Sequence, residues 1–295
     1  MNWIQLSIQI PVTLASALED TFESAGALSV TSTDAEDQPL LEPGPGETPL
    51  WDQLIMTGLF TEATDIEPIK EQIRQVLKLT DIQAIKTEIL PDQEWTRTWM
   101  DHFQPMSFGK RLWVCPEGFT PPEPDATNMR MDPGLAFGTG THPTTALCLK
   151  WLDAQPLEGI NILDYGCGSG ILAIAALLLG ATHADAVDND PQALIATQDN
   201  AEKNQVRDKL QVFLPEQLPP IQADICIANI LAGPLELLAS TLAAHTRTGG
   251  KIVLSGILAE QANEVRQAYL QWFNMLEPVF LDDWTRLEGT RKENK

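Results

Sequence analysis

A glycine-rich loop follows a short apolar segment near the middle of the chain. Residues 164–170 read Asp-Tyr-Gly-Cys-Gly-Ser-Gly and lead into an apolar run that begins at Ile171. Glycines at alternate positions let the backbone turn sharply and approach a ligand without contact from Cβ atoms. A dinucleotide fingerprint, G-x-G-x-x-G, would need its third glycine where this chain has Ile171. The spacing therefore favours a nucleoside cofactor that has no pyrophosphate.

An acidic side chain occupies the position from which it could bind the sugar of such a nucleoside. Asp188 ends the next predicted strand, eighteen residues after Gly170, and its carboxylate can accept hydrogen bonds from both ribose hydroxyls. Asp190 and Pro191 then supply the N-cap and the first-turn proline of a helix. Strand, loop, helix and strand-end acid together favour S-adenosylmethionine, with NAD as the rival; the loop alone is also compatible with an ordinary tight turn.

Two other segments carry residues that could contact a ligand. The glycine-rich segment 132–145 ends in Thr144 and Thr145, near the start of a predicted helix, where hydroxyls and free amides can bind a carboxylate. An ordinary capped helix behind a flexible lid is the alternative. Asn229 follows the predicted strand 224–228, and its alternative role is a buried cap of the next helix.

The composition limits the classes of protein to which the chain can belong. Its 295 residues are 43% hydrophobic, enough for a sizeable core and for two domains. The four cysteines lie far apart and suit neither a disulfide framework nor a zinc site, which favours a reducing compartment. The longest apolar run, 171–179, is about half the length of a membrane span, and the N-terminus lacks the features of a signal peptide.

The net charge of −22 indicates which kind of macromolecule the chain can bind. Up to Asp101 the chain has 18 acidic and 5 basic residues. Nucleic-acid binding draws its affinity from cations that neutralise phosphates, so we expect no direct nucleic-acid partner. A basic protein partner fits better, because opposite fields speed the encounter. Simple solubility is the alternative explanation.

The elements that must position these residues form two patterns. Residues 1–90 follow the order β-α-β-β-α-β of a ferredoxin-like α+β unit. From about residue 129, strands alternate with helices, which predicts an α/β domain with a mostly parallel sheet. Its predicted elements are strands 161–165, 184–188, 210–214, 224–228 and 251–255, helices 171–179, 191–203, 234–245 and 258–272, and a closing hairpin of 275–281 and 284–289.

These motifs together resemble the PrmA family, the methyltransferases of ribosomal protein L11. The resemblance covers essentially the whole chain, and its most specific part is the segment 137–145. It rests on the segments 132–145, 164–170 and 229–234, and it continues in Trp95, Trp99, Phe103, residues 111–114, Asp190 and Pro191.

The resemblance implies a Rossmann-like class I methyltransferase sheet, mostly parallel and closed by an antiparallel hairpin, in residues 129–295. It also implies an N-terminal ferredoxin-like domain in 1–90 that docks the substrate protein, joined through a connector, 91–128, made of a linker helix and a Pro-rich stretch. The implied enzyme works in the cytoplasm, and we expect it to be a monomer.

The resemblance also implies the site residues. S-adenosylmethionine contacts carry over onto Thr145, Gly166, Asp188 and Asn229, with no metal. The chain departs from the (D/N)-P-P-(Y/F) motif of many amine and base methyltransferases, because residues 230–231, Ile-Leu, replace the two prolines.

Transfer of a methyl group from a sulfonium to an amine requires mainly a positioned nucleophile stripped of its water. We expect the Asn229 side-chain carbonyl, with nearby backbone carbonyls, to accept the N–H groups of a lysine or N-terminal amine. A weaker hypothesis makes His142 the general base, ranked below a packing or hydrogen-bonding role. Three classes compete: an NAD-dependent oxidoreductase, which the missing third glycine disfavours; an RNA methyltransferase, which the charge disfavours; and a non-catalytic adaptor, which the intact loop disfavours.

Overall fold

The computed structural model describes residues 2–36, 50–78, 85–91, 104–116, 118–131 and 142–293. The chain divides into two compact units, Met1–Thr98 and Trp99–Lys295. Most of the predicted linker helix lies outside the described residues, as does most of the segment 132–145. Among the described residues, no helix has both the length and the apolarity that a membrane crossing requires.

The first unit has the β-α-β-β-α-β order that the sequence predicts. Its strands pair antiparallel in the order β2-β3-β1-β4, with both helices in the connections between strands. The elements are β1 Trp3–Pro11, α1 Ala15–Ser24, β2 Ser29–Asp34, β3 Gln53–Thr61, α2 Ile66–Leu77 and β4 Lys86–Leu90.

Alternation of apolar residues gives this unit a core of its own. In β1, Ile4, Leu6, Ile8 and Ile10 are buried, while the residues between them are more exposed. Close packing of α1 on β3 requires Gly58, because a Cβ there would lie 2.7 Å from the ring of Phe22. The unit therefore has the hydrophobic core that an independent domain needs.

The second unit begins with a small sheet that the sequence reading missed. Three short strands, β5 Met106–Phe108, β6 Leu112–Cys115 and β7 Thr127–Arg130, pair in the order β5-β6-β7. The predicted connector 91–128 is thus wrong in this part, since the strands contribute Phe108, Val114 and Met129 to the core of the second unit. Strands of three or four residues are too short to show a clear alternation, so the sequence pattern does not reveal them.

The main sheet of the second unit is mostly parallel, as predicted. Its order is β10-β9-β8-β11-β12-β15-β13, with β14 paired to β15. Pairs from β10 to β12 are parallel, whereas β15 is antiparallel to β12, β13 and β14. The strands are β8 Asn161–Tyr165, β9 His183–Val187, β10 Leu210–Phe213, β11 Ala223–Asn229, β12 Thr246–Leu258, β13 Phe273–Met275, β14 Val279–Leu281 and β15 Trp284–Arg291.

Helices cover both faces of this sheet, and each face has its own apolar cluster. Differences from the predicted elements lie mainly at their ends. The predicted strand 275–281 is two strands, because Pro278 lacks the N–H that a continuous ladder requires. The helices are α3 Pro143–Asp153, α4 Ile171–Leu178, α5 Pro191–Lys203, α6 Ala232–His245 and α7 Ala262–Tyr269.

The strand order reverses between β8 and β11. From β8 the chain first builds outward through β9 and β10, and it then returns to add β11 and β12 on the other side. Ligands of open α/β sheets bind in the crevice outside the carboxyl ends of the strands at such a reversal. The fold therefore locates the binding site at the ends of β8 and β11.

Candidate active site

A cavity of about 790 Å³ opens at this edge of the sheet. It is lined by residues that follow or end β8, β9, β11 and β12, and by residues that begin α3 and β15. All four predicted cofactor residues are among them: Thr145, Gly166, Asp188 and Asn229.

The glycine loop is shaped by its connection to the neighbouring strand. Gly166, Gly168 and Gly170 have φ values of 81°, 54° and 78°, a region that L side chains rarely adopt. The Gly166 N–H donates to the Val187 carbonyl at 2.7 Å, which holds the loop against the end of β9. A Cβ on Gly166 would overlap Cγ2 of Ile230, so this position has no room for a side chain.

Asp188 is fixed to this loop by its own carboxylate. Its Oδ2 accepts the Gly168 N–H at 2.9 Å, and its Oδ1 accepts the Asp190 N–H at 3.0 Å. Each carboxylate oxygen can accept a further hydrogen bond, so both remain available to hydroxyls in the cavity. The structure thus brings together the loop and the acid that the sequence pattern placed in one site.

Thr145 and Asn229 meet at the other side of the cavity. The Asn229 Nδ2 donates to the Thr145 Oγ1 at 3.3 Å, and Thr145 is fully buried. The Asn229 Oδ1 is also buried, yet it has no hydrogen-bond partner among the described residues. Leaving a buried acceptor unpaired costs about 1–3 kcal/mol, which a donor arriving in the cavity would offset.

The alternative role of Asn229, a helix cap, is contradicted. Helix α6 begins at Ala232 with Leu231 at its N-cap position, and Leu231 has no side chain that could cap it. The Asn229 Oδ1 accepts no hydrogen bond from a described residue of this helix. The amide is therefore directed to Thr145 and the cavity.

His142 makes the contacts of a capping residue. It is the N-cap of α3, where its Nδ1 accepts the Thr144 N–H at 3.4 Å and lies 2.8 Å from the Thr144 Oγ1. Its ring packs edge-on against Trp284, with 4.6 Å between the ring centroids. Burial lowers the pKa of His142. These contacts agree with the packing and hydrogen-bonding role that the sequence reading preferred.

Sequence reasoning assigned no role to Trp284, which lines the cavity, or to the buried Asp164, which precedes the glycine loop. Trp284 begins β15 and lines the cavity, but it belongs to no motif, and only the strand order brings it beside β12. Asp164, the first residue of the glycine-loop motif, is 1% exposed, and its Oδ2 accepts the Ala173 N–H at 3.0 Å. Burial raises its pKa to about 7; the Ala173 N–H opposes this rise, and the negative charge of Asp188 adds to it.

The residues of the cavity fit an adenosyl cofactor. Asp188 offers acceptors for a ribose, the glycine loop leaves room for close approach, and Pro215, Ile230 and Leu238 give an apolar wall for a base. Three features together define a class I methyltransferase. They are a mostly parallel sheet with an antiparallel last strand, a glycine loop where the strand order reverses, and an acid directly after the next strand. The cofactor of this class is S-adenosylmethionine.

Comparisons with known proteins identify the family. The sequence profile described as "Ribosomal protein L11 methyltransferase (PrmA)" matches residues 2–292. A ribosomal protein L11 methyltransferase of Marinobacter nauticus is 53% identical over 99% of this chain and 100% of its own length. One of Shewanella amazonensis is 49% identical over 99% of both chains. The chain therefore belongs to the ribosomal protein L11 methyltransferase (PrmA) family, which confirms the resemblance.

A solved structure agrees with this assignment. The crystal structure of a ribosomal protein L11 methylase from Lactobacillus delbrueckii subsp. bulgaricus is 29% identical, with a TM-score of 0.59. The structural match covers 65% of this chain and 99% of the Lactobacillus chain.

Proposed function

We propose that this chain transfers methyl groups from S-adenosylmethionine to amino groups of ribosomal protein L11, on lysine side chains, the N-terminal amine or both. The relatives carry that substrate in their names. The observation that carries the amine assignment is the unpaired Oδ1 of Asn229, a buried acceptor beside the cavity. An amine brings N–H donors to that atom.

Each of the proposed cofactor residues is assigned to a part of S-adenosylmethionine. Asp188 accepts the ribose hydroxyls, and Gly166 lets the backbone approach the nucleoside. Thr145, at the start of α3, and the Asn229 Nδ2 bind the carboxylate at the amino-acid end of the cofactor, which leaves the Asn229 Oδ1 for the acceptor amine. When bound, the cofactor supplies a methyl group on a positively charged sulfur.

Asn229 is also the proposed catalytic residue. A lysine amine has a reference pKa of about 10.4, so at neutral pH fewer than roughly one in a thousand are neutral. Removal from water and a nearby positive charge both favour the neutral amine. The Asn229 Oδ1 accepts an amine N–H and so directs the nitrogen lone pair at the methyl carbon. The amide orients the nucleophile but takes up no proton itself.

The proposed test is Asn229→Ala. At saturating cofactor, we expect methyl transfer to purified ribosomal protein L11 to fall by at least about tenfold, the range that loss of one positioned hydrogen bond produces. Asn274→Ala, in the exposed part of β13, is the matched control and keeps normal turnover. Normal turnover by Asn229→Ala as well would contradict the assignment.

The N-terminal unit is the proposed substrate-recognition domain, with 1–90 as its bounds. Support comes from its separate core and from the acidic excess of the first 101 residues, which suits a basic ribosomal protein. Removing residues 1–90 is expected to abolish protein methylation and to spare binding of S-adenosylhomocysteine. Unchanged methylation by the truncated chain would refute this role.

The proposal also includes the oligomeric state, the cellular location and the class of acceptor. We infer a monomer that acts in the cytoplasm and methylates protein directly without binding nucleic acid. The four cysteines are all free thiols, which suits a reducing compartment. Labelled methyl transfer measured side by side on ribosomal protein L11 and on ribosomal RNA tests the choice of acceptor, because only the protein should be labelled.

A further inference from the structure

The cavity extends across the sheet from the end of β9 to the start of β15. Asp188, the proposed ribose ligand, follows β9, whereas Asn229 ends β11. Beyond Asn229 the lining continues through Gly256 of β12 to Trp284 at the start of β15. Since the sheet order is β9-β8-β11-β12-β15, the part of the cavity beyond Asn229, away from the proposed ribose ligand, lies on the β15 side. The next strand on that side is β14.

Strand β14 exposes apolar side chains beside this opening. Its Leu281 is paired with Trp284, and among the described residues β14 pairs with no strand other than β15. Val279 is 42% exposed and Phe280 is 54% exposed. Successive side chains of a strand point to opposite faces, so β14 presents one of these partly exposed side chains on each face. We call Val279, Phe280 and the turn residues Asp282 and Asp283 the β14 patch.

The charged side chains in the described connections at this edge of the sheet are all acidic, and Arg286 of β15, which pairs with Val279, is mostly buried beside Glu288. We consider the five connections that follow β8, β9, β11, β12 and β14, residues 166–170, 188–190, 230–231, 259–261 and 282–283. Every charged side chain in them is a carboxylate: Asp188, Asp190, Glu260, Asp282 and Asp283. The bases Arg207, Lys209 and Arg247 lie instead at the start of β10 and β12, at the opposite edge. A negative edge around an open apolar strand suits a segment that carries both cations and apolar side chains.

We propose that the β14 patch docks the segment of the substrate protein that carries the acceptor amine. The segment is extended and basic, and it lies along the free edge of β14, where it contacts Val279 and Phe280 on the two faces. An exposed strand edge offers unpaired N–H and C=O groups that an extended peptide can complete. Asp282 and Asp283 attract the basic residues next to the acceptor. This inference rests on the proposed function and adds to it the surface that delivers the amine.

The test measures kinetics of methyl transfer to purified ribosomal protein L11 by the full chain. Phe280→Ser removes the exposed apolar group, and the double variant Asp282→Asn with Asp283→Asn removes the charge. Asn suits position 282, whose φ is 52°. Ile195→Ser, 51% exposed on α5, is the apolar control. Asp199→Asn with Glu202→Gln, both exposed on the same helix, is the charge control.

Each β14 variant is expected to raise KM for the protein about fivefold, a modest interface effect, with kcat within about twofold of normal. Binding of S-adenosylhomocysteine, measured by calorimetry, stays unchanged and shows that the variants are folded. KM of the unsubstituted chain rises with salt, and the double variant shows a weaker salt dependence. The α5 controls keep the normal KM.

Three results would overturn the inference. In the first, the β14 variants have the same KM as the α5 controls while the unsubstituted chain methylates the protein. The proposed function would then hold without this docking surface. In the second, sedimentation shows a dimer that Phe280→Ser dissociates, which would assign the patch to a second copy of the chain. In the third, the unsubstituted chain transfers no methyl group to the protein, which removes the proposed function and this inference together.

Discussion

The two ends of the cavity differ in how far their polar groups are satisfied. At the β9 end, both oxygens of Asp188 already accept backbone N–H groups, from Gly168 and Asp190. At the β11 end, the Asn229 Oδ1 is buried without a partner among the described residues. The first arrangement holds a binding site in shape before its ligand arrives. The second leaves an acceptor whose desolvation is offset only when a donor comes, which suits an orienting role in the reaction.

The variant with the largest expected effect on this comparison fills the space between the glycine loop and the residue after Asn229. Gly166→Ala adds a Cβ that overlaps Ile230, in a backbone conformation with φ of 81°. We expect affinity for S-adenosylhomocysteine to fall more than about a hundredfold, because the loop must shift out of its binding geometry. Isothermal titration calorimetry measures the effect.

The matched control separates overlap from backbone strain. Gly159 has a similar φ of 76°, and a Cβ there would meet nothing within 4 Å. Gly159→Ala is therefore expected to lower the free energy of unfolding by about 1 kcal/mol and to leave cofactor affinity unchanged. Equal affinities for Gly166→Ala and the unsubstituted chain would contradict the proposed cradle.

Asp188→Asn tests the β9 end of the cavity, and its expected effect is smaller. The amide keeps one acceptor oxygen, but its NH₂ group faces either the Gly168 or the Asp190 N–H, so one of these two bonds is lost. We expect cofactor affinity to fall about tenfold, the usual effect of losing a charge-assisted hydrogen bond. The control is Asp190→Asn, at the N-cap of α5, where Asn caps as well as Asp does. A normal affinity for Asp188→Asn would show that the ribose lies elsewhere.

The same comparison explains what the sequence could and could not predict. The glycine loop, Asp188 and the strand that precedes Asn229 are local patterns, and their joint position follows from the rule for parallel sheets. Trp284 was missed because it lies beside the site only through the antiparallel pairing of β15 with β12, a contact between distant segments. The strands β5 to β7 were missed for a related reason, since each is too short to show its period without its neighbours.

The buried Asp164, in β8, makes the stability of the fold depend on pH. Burial raises its pKa to about 7, well above the value of an unfolded chain. The folded state therefore retains a proton that the unfolded state releases, and stability falls as pH rises from about 4 to about 7. Asp164→Asn removes this contribution. We expect the variant to gain stability relative to the unsubstituted chain over that interval, and the gain to level off above about pH 7.

Urea unfolding at several pH values between about 4 and 8 measures this difference. Asp199→Asn, an exposed helix residue, is the control and should follow the unsubstituted chain at every pH. A constant difference between Asp164→Asn and the unsubstituted chain would mean that the folded and unfolded states bind this proton equally.

The smallest effect is expected at His142, which lines the cavity but is already engaged at its Nδ1. His142→Asn keeps a capping oxygen for the Thr144 N–H, because Asn is among the best N-cap residues. If His142 only caps α3 and packs on Trp284, turnover stays within about twofold, and the pH profile of kcat is unchanged. His142→Ala, which cannot cap, should lose about 1 kcal/mol of stability. Loss of one limb of the pH profile in His142→Asn would instead identify a proton acceptor, and the amine would then depend on both His142 and Asn229.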